Sequence, residues 1–292
     1  MDDVNESKNN LDKEQHLGTQ RESEPKTGLR MFNLSQSWGH HMPEWPSTPG
    51  VNVNVKKFHA KDGVYQTEFE GIMHRGTHMD APIHVTENTP HIMDYALWRF
   101  FGTGVAVSIP KSKWVVITPE DLENATPKIR EGDMVFINTG MHHRMADSDD
   151  YFAYSPGIYT DGAQWLVDKK VKLVGYDVQS NDHPMATKLV DHGLGPTHPH
   201  LIEEYKQEFG RDPKEDFPNW ESGHKTLMIG GGIPGIENVG GDLDAVTGKR
   251  CTFMCFPWRW EGGDGCGVRI LAVIDPDQKF RFERGQNLSE GT

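Results

Sequence analysis

The sequence is short of cysteine, of basic charge and of long apolar runs. Its three cysteines, Cys251, Cys255 and Cys266, cannot all pair, and their spacing matches neither a zinc ribbon nor a thioredoxin-type pair. That excludes a disulfide scaffold and suits a reducing cytoplasm. Lys plus Arg number 30 against 43 Asp plus Glu, a net charge of −13, so no electrostatic attraction draws the chain to nucleic acid or anionic lipid. No stretch approaches the roughly 18 consecutive apolar residues of a membrane helix, and the polar, acidic N-terminus lacks the basic and then apolar run of a signal peptide. The expectation is a cytoplasmic protein with neither nucleic acid nor membrane as partner. What the sequence does hold is 15 histidines, several of them clustered.

Residues 1–28 carry only Met1, Val4, Leu11 and Leu17 as sizeable apolar side chains, too few to offset the entropy of ordering, and are expected to form a disordered arm. A domain over 29–285 and a flexible tail at 286–292 follow. Strands are expected at MFNLS from Met31, VNVNV (51–55), VYQTEFEGIM (64–73), GVAVSI (104–109), MVFINT (134–139), VKLVGY (171–176), CTFMCF (251–256), VRILAVI (268–274) and FRFE (280–283). Helices are fewer. TPEDLENA offers Thr118 as N-cap with Pro119 in the first turn, TDGAQWLVDKK offers Thr160 in the same role, and HLIEEYKQEF (200–209) makes a third. One mixed α/β domain with long loops is the reading.

Two phosphate-loop patterns fail. GGGIPG gives Gly230, Gly232 and Gly235 the dinucleotide spacing, but Pro234 and the residues after it offer no helix to receive a pyrophosphate, so a glycine-rich turn is preferred. Thr247-Gly248-Lys249 is followed by Arg250 instead of the Ser or Thr that would bind magnesium. The histidines are more informative. HRGTHMDAPIH places His74, His78, Asp80 and His84 within eleven residues, and Gly76 and Pro82 argue for an extended loop over a helix. In extended chain His78 and Asp80 project to the same side. Two imidazoles and a carboxylate, with no thiolate, suit Zn²⁺, Mn²⁺ or Fe²⁺, and three protein ligands leave an open position.

HxGTHxDxPxH resembles the signature of the cyclase-like metal-dependent hydrolases, the family of bacterial kynurenine formamidase and isatin hydrolase. The resemblance runs from about Met31 to Arg284, through MPEWPS (42–47), VGYDVQSND (174–182), the GHKTLMIGGGIPGIENVGGDLD run, FPWRW and GGDGCGVR. It implies a single mixed-sheet domain of the swivelling β/β/α type, with few helices, and at least a homodimer. It also implies one metal held by His74, His78 and Asp80, with a second possible between Asp80, His224 and Glu237, either Mn²⁺ or Zn²⁺. His84 would then be the general base and acid, and Trp45 the substrate-stacking residue. Trp38 and Trp258 are further aromatic material for a pocket around a flat substrate. Two departures stand out: the stretch from His183 to Glu221 is long, with His198 a rival to the preferred His224, and Cys266 stands where many relatives have Ser. His40, His41, His142, His143, His183 and His192 have no assigned role and are expected to be mostly solvated.

The resulting expectation is a metal-dependent amidohydrolase that opens a cyclic amide, imide or lactone of small size by attack of activated water on a carbonyl. The alternatives are an arylformamidase acting on N-formylkynurenine and a non-catalytic, metal-braced binding protein. A spare imidazole at His84 separates the enzymatic readings from the last.

Overall fold

Apolar side chains that alternate across buried strands organise the molecule. The computed structural model describes residues 23–24, 26–40, 42–46, 48–191 and 195–278. In chain order the strands are β1 (Arg30–Asn33), β2 (Asn52–Lys57), β3 (Gln66–Glu70), β4 (His78–Asp80), β5 (Phe101–Ser108), β6 (Val116–Ile117), β7 (Met134–Asn138), β8 (Gly157–Ile158), β9 (Leu173–Tyr176), β10 (Gly235–Glu237), β11 (Lys249–Met254), β12 (Gly265–Gly267) and β13 (Leu271–Ile274). Nine of them form one sheet, β1-β13-β11-β5-β7-β9-β10-β4-β12. The run β5, β7, β9, β10 is parallel, and both flanks are antiparallel. β2 and β3 make a separate hairpin, and β6 pairs with β8.

Every residue of β7 is buried, so the strand feeds both faces of the sheet. Met134 and Phe136 join one core with Leu173, Ile236 and Phe253, while Val135 and Ile137 join the other with Val105, Val107 and Tyr176. Helix α1 (Pro119–Asn124) covers the second face through Leu122, and α2 (Thr160–Asp168) covers it through Ala163 and Leu166. This is the mixed α/β architecture expected, with strands dominant. The long stretch after His183 has its own core: Met185, Leu189, Leu201, Tyr205 and Phe217 pack with Trp114 and Phe152, and α3 (His200–Phe209) contributes two of them. Cys266 is buried in the first core, where its sulfur accepts the Trp258 N–H at 3.2 Å. All three cysteines are free.

Helix starts follow local chemistry in one case and strand geometry in the other. Thr118 caps α1: its hydroxyl accepts the Asp121 N–H at 3.3 Å, and the Asp121 carboxylate accepts the Thr118 N–H at 2.8 Å. The expected cap at Thr160 is not made. β8 leads into an extended Tyr159 at φ −129°, Thr160 is already the first residue of α2, and its hydroxyl is buried without a hydrogen-bond partner. The GGGIPG segment follows the π-helical turn Lys225–Gly230 and runs into β10, which is the reverse of the strand-to-helix order of a dinucleotide loop. Most of the expected arm, the FRFE strand and the tail lie outside the described residues; of the arm, the Gly28 N–H donates to the Glu24 carbonyl at 2.8 Å. Among the described residues no helix is long and apolar enough to cross a membrane.

Strand β5 approaches β7 closely at Gly104, where an added Cβ would lie 1.9 Å from the Met134 carbonyl oxygen. Gly104→Ala is expected to cost about 1–3 kcal/mol, the usual penalty for overpacking. The check is a lower urea midpoint at unchanged slope. An unchanged midpoint would mean that the two strands can separate freely.

Candidate metal centre

The site is built around β4, which lies between β10 and β12. His78 pairs in register with Glu237 of β10 on one side and Gly267 of β12 on the other, while Asp80 faces Gly265. Cross-strand partners share a face, so His78, Asp80 and Glu237 project together. His74 comes from the loop ahead of β4, His84 from the end of the 3-10 turn Pro82–His84, and His224 from the end of the short helix Ser222–His224.

Asp80, 1% exposed, is the hub. Its Oδ1 lies 2.7 Å from His74 Nδ1 and 3.2 Å from His78 Nε2, and its Oδ2 lies 3.4 Å from His224 Nε2. Glu237 reaches His224 Nε2 at 3.1 Å and His78 Nε2 at 3.4 Å. Donor atoms of His74, His78 and Asp80 converge as one triad, and those of Asp80, His224 and Glu237 as another. A third set, His74, His84 and Asp264, shares the His74 ring. His198 is elsewhere, 3.6 Å from Asp149, so the structure brings His224 to Asp80 and not its rival.

The residues present suit a divalent cation. His78 Nδ1 donates to the Gly76 carbonyl at 2.8 Å, and His224 Nδ1 faces Asp182 Oδ2 at 2.5 Å, so each ring turns Nε2 inward. Those inward nitrogens face carboxylate oxygens, a repulsive arrangement for neutral rings unless a cation lies between. His78 Nε2 and Asp80 Oδ2 are buried without hydrogen-bond partners, which is costly for polar atoms unless something binds them. The donors are nitrogen and oxygen only, as the sequence pattern implied.

Electrostatics point the same way. Burial alone would lower the His74 pKa, but hydrogen bonds to Asp264 and Asp80 outweigh it and raise it to about 10. Burial is likewise outweighed at His78 by Asp80 and Glu237, and at His224 by Asp182, Asp80 and Glu237, so both imidazoles shift upward. Burial would raise Asp80, yet His78, His224 and His74 hold it well below the ordinary carboxylate range. The cavity therefore favours positive charge. His84 differs: its ring is exposed to solvent, and partial desolvation by the surrounding protein, together with the imidazoles of His74, His224 and His78 and against the pull of Asp80, shifts it down to about 4. Its ring stacks on that of His74 at 3.8 Å and lies 6.1 Å from that of His224.

A cleft of about 170 Å³ opens onto these residues, with Trp45, Ile72, Gln179, Ser180, Lys188 and Glu221 in its walls. Trp45 stands in the wall of this cleft. Trp38 and Trp258 instead line a neighbouring cavity of about 600 Å³ with Phe69 and Arg269, and only Ile72 is common to both. Sequence reasoning assigned no role to two orienting acids. Asp182 holds His224 and accepts the Gly223 N–H at 2.5 Å, and Asp264 holds His74 Nε2 at 3.0 Å. Both lie in quoted motifs, VGYDVQSND and GGDGCGVR, and membership of those motifs was the one signal the sequence offered. Two unassigned histidines are not solvated: His183 is fully buried and stacked on Phe217 at 4.1 Å, and His142 is buried against Asp177. His40 is exposed and bonds the Val53 carbonyl at 2.8 Å, whereas His41 and His192 lie outside the described residues.

Comparison with known proteins agrees with this picture. The family model described as "Putative cyclase" matches residues 32–183, just over half of the chain, and so includes His74, His78, Asp80 and His84. Cyclase-like protein 1 of Arabidopsis thaliana is 26% identical over 257 residues, 84% of this chain and 86% of that one. Kynurenine formamidase of Bordetella petrii is 29% identical over 149 residues, 51% of this chain and 62% of its own. The solved structure of isatin hydrolase A from Ralstonia solanacearum superposes with a TM-score of 0.65 at 20% identity, covering 84% of this chain and 92% of that one, a likeness of fold.

Asp182→Asn should keep the fold and weaken metal binding about 10- to 100-fold, the usual effect of removing the carboxylate behind a metal-binding imidazole. Competition with a chelator measures it. Unchanged affinity would show that the Asp182 contact does not orient His224 toward an ion.

Proposed function

The chain belongs to the cyclase family, and on that premise we propose that it is a metal-dependent hydrolase that opens a small cyclic amide, imide or lactone. The observation that carries this reading is the imidazole of His84, outside the two triads centred on Asp80, stacked on His74 at 3.8 Å and lining the same cleft as His78, His224 and Glu237. His74, His78 and Asp80 would hold one divalent ion, Mn²⁺ or Zn²⁺, and Asp80, His224 and Glu237 could hold a second. The chemistry such an ion supplies is Lewis acidity, toward a carbonyl and toward water.

His84 would accept a proton from the attacking water through a ring nitrogen and return it to the departing nitrogen or oxygen. Stacking on His74 at 3.8 Å fixes the plane of its ring. Asp264 and Asp182 keep the His74 and His224 rings aligned while charge builds at the carbonyl. Trp45 offers one flat wall, and the modest cleft of about 170 Å³ suits a compact ring. A bracing metal site in a binding module would need no imidazole beyond its ligands, which is why the catalytic reading is preferred.

Arylformamidase action on N-formylkynurenine is the second reading, favoured by the 29% identity with the Bordetella petrii kynurenine formamidase. Both reactions would use the same cluster, and they differ in whether the broken bond lies in a ring. A panel of cyclic amides, imides, lactones and formyl-anilines, assayed with metal-loaded protein, decides between them. On the substrate so found, His84→Ala should keep its metal and lose roughly 10²- to 10⁴-fold in turnover. Undiminished turnover would remove His84 from the mechanism, and loss of the metal would make it a ligand.

A further inference from the structure

A second group of metal-binding side chains lies outside the centre described above and shares no residue with it. After β7 the chain turns through Gly140, at φ 90°, into the 3-10 turn Met141–Arg144. His142 and His143 project from this turn toward Asp244, in the short helix Leu243–Val246 that precedes β11. His142 Nε2 lies 3.3 Å from Asp244 Oδ1, and His143 Nε2 lies 3.0 Å from Asp244 Oδ2. The two rings are 4.0 Å apart.

Hydrogen bonding decides which way these groups face. Asp177, fully buried, accepts from the Thr139 N–H at 2.9 Å, the Thr139 hydroxyl at 2.7 Å, the Gly140 N–H at 3.0 Å and the His142 N–H at 3.3 Å. The His142 ring adds Nδ1 at 2.8 Å from the same carboxylate, which accepts only, so Nδ1 carries the hydrogen. In the neutral ring Nε2 then turns its lone pair toward Asp244. The His142 side chain is 5% exposed, and its Nε2 is buried with no hydrogen-bond partner. Asp244 is held in turn by the Asn138 side-chain amide, at 2.9 Å from its Oδ1.

An exposed histidine–carboxylate pair accounts for His143 and leaves His142 Nε2 unexplained. Protonating His142 alone, with His143 neutral and its hydrogen on Nε2, would satisfy the charges, yet His142 Nε2 stands 3.3 Å from Asp244 Oδ1 without a formed hydrogen bond. One cation between the two Nε2 atoms and Asp244 meets every contact at once. The arrangement also repeats that of Asp182 behind His224, where a buried carboxylate orients an imidazole from its far nitrogen.

We infer that His142, His143 and Asp244 form a second divalent-cation site of the zinc class, with Asp177 orienting His142. Two imidazole nitrogens and one carboxylate oxygen leave a fourth tetrahedral position to water, and the exposed His143 and Asp244 provide the way in. Such an ion would tie the turn after β7 to the segment before β11. It would also brace the stretch that follows β9, which carries Asp177 at one end and Asp182 at the other.

The test uses the full-length chain with its candidate centre first loaded with Mn²⁺, then equilibrated with Zn²⁺ against a competing chelator. Wild type should bind one more zinc per chain than His143→Ala or Asp244→Asn, and its thermal midpoint should rise with zinc while theirs do not. Crystals exposed to zinc should show an anomalous peak at the zinc edge between His142, His143 and Asp244, absent in His143→Ala. Equal zinc content in the three proteins, or a zinc peak confined to the His74, His78 and Asp80 cluster, would overturn the inference and leave an ion-pair network. Retention of the peak in His143→Ala would overturn it as well.

Discussion

A carboxylate buried among three imidazoles, that of Asp80, is the interaction on which the rest of the site depends. An isolated buried charge costs on the order of several kcal/mol, so Asp80 is tenable only with its partners in place. Those partners come from separate parts of the chain: His74 from the loop before β4, His78 from β4 itself and His224 from the helix beyond the long insertion. The sheet makes this meeting possible. β4 sits between β10 and β12, so one three-residue strand presents His78 and Asp80 beside Glu237 and leaves Gly265 opposite Asp80. A Cβ on Gly265 would come within 2.7 Å of the His74 ring, so glycine there leaves room for that ligand.

Outside this hub lie groups that only orient. Asp182, Asp264 and the Gly76 carbonyl each hold one imidazole by the nitrogen opposite or adjacent to Asp80 and Glu237. The orienting layer is what separates a metal centre from a chance collection of histidines, because it removes rotational freedom from rings that would otherwise turn toward solvent. His84 belongs to neither layer. Its shift runs downward while that of His74 runs upward, and under the proposed function this divides the site into charge-holding and proton-moving parts. In the cleft walls, polar side chains such as Gln179, Ser180 and Lys188 outnumber Trp45.

Legibility in the sequence followed the length of the elements. β5, β7 and β11 were readable because four or more apolar or β-branched residues alternate or run together, and α3 because HLIEEYKQEF runs ten residues without Pro or Gly. β4, β10 and β12 have three residues each and no strand signature; pairing with distant partners makes them strands, and they carry the site. His74, His78, Asp80 and His84 were legible as a local cluster, whereas His224 and Glu237 were reached through the family resemblance, and they lie beyond the residues that the family match covers. Asp182 and Asp264 act through space on rings far away in sequence, and no spacing rule finds such pairs. Aromatic content told of a pocket but not of which one, so Trp38 and Trp258 went to the larger neighbouring cavity. His142 and His183 were misjudged because burial by a distant element leaves no local trace.

The central claim is that this cavity exists to hold a divalent cation at Asp80. Titration of chelator-stripped, full-length protein with Mn²⁺, followed by calorimetry in wild type and His78→Ala, tests it most directly. The account predicts saturable uptake of at least one ion per chain in wild type, and its loss in His78→Ala with the fold retained. Wild-type protein that takes up no Mn²⁺, or His78→Ala protein that binds it as tightly, would contradict the account.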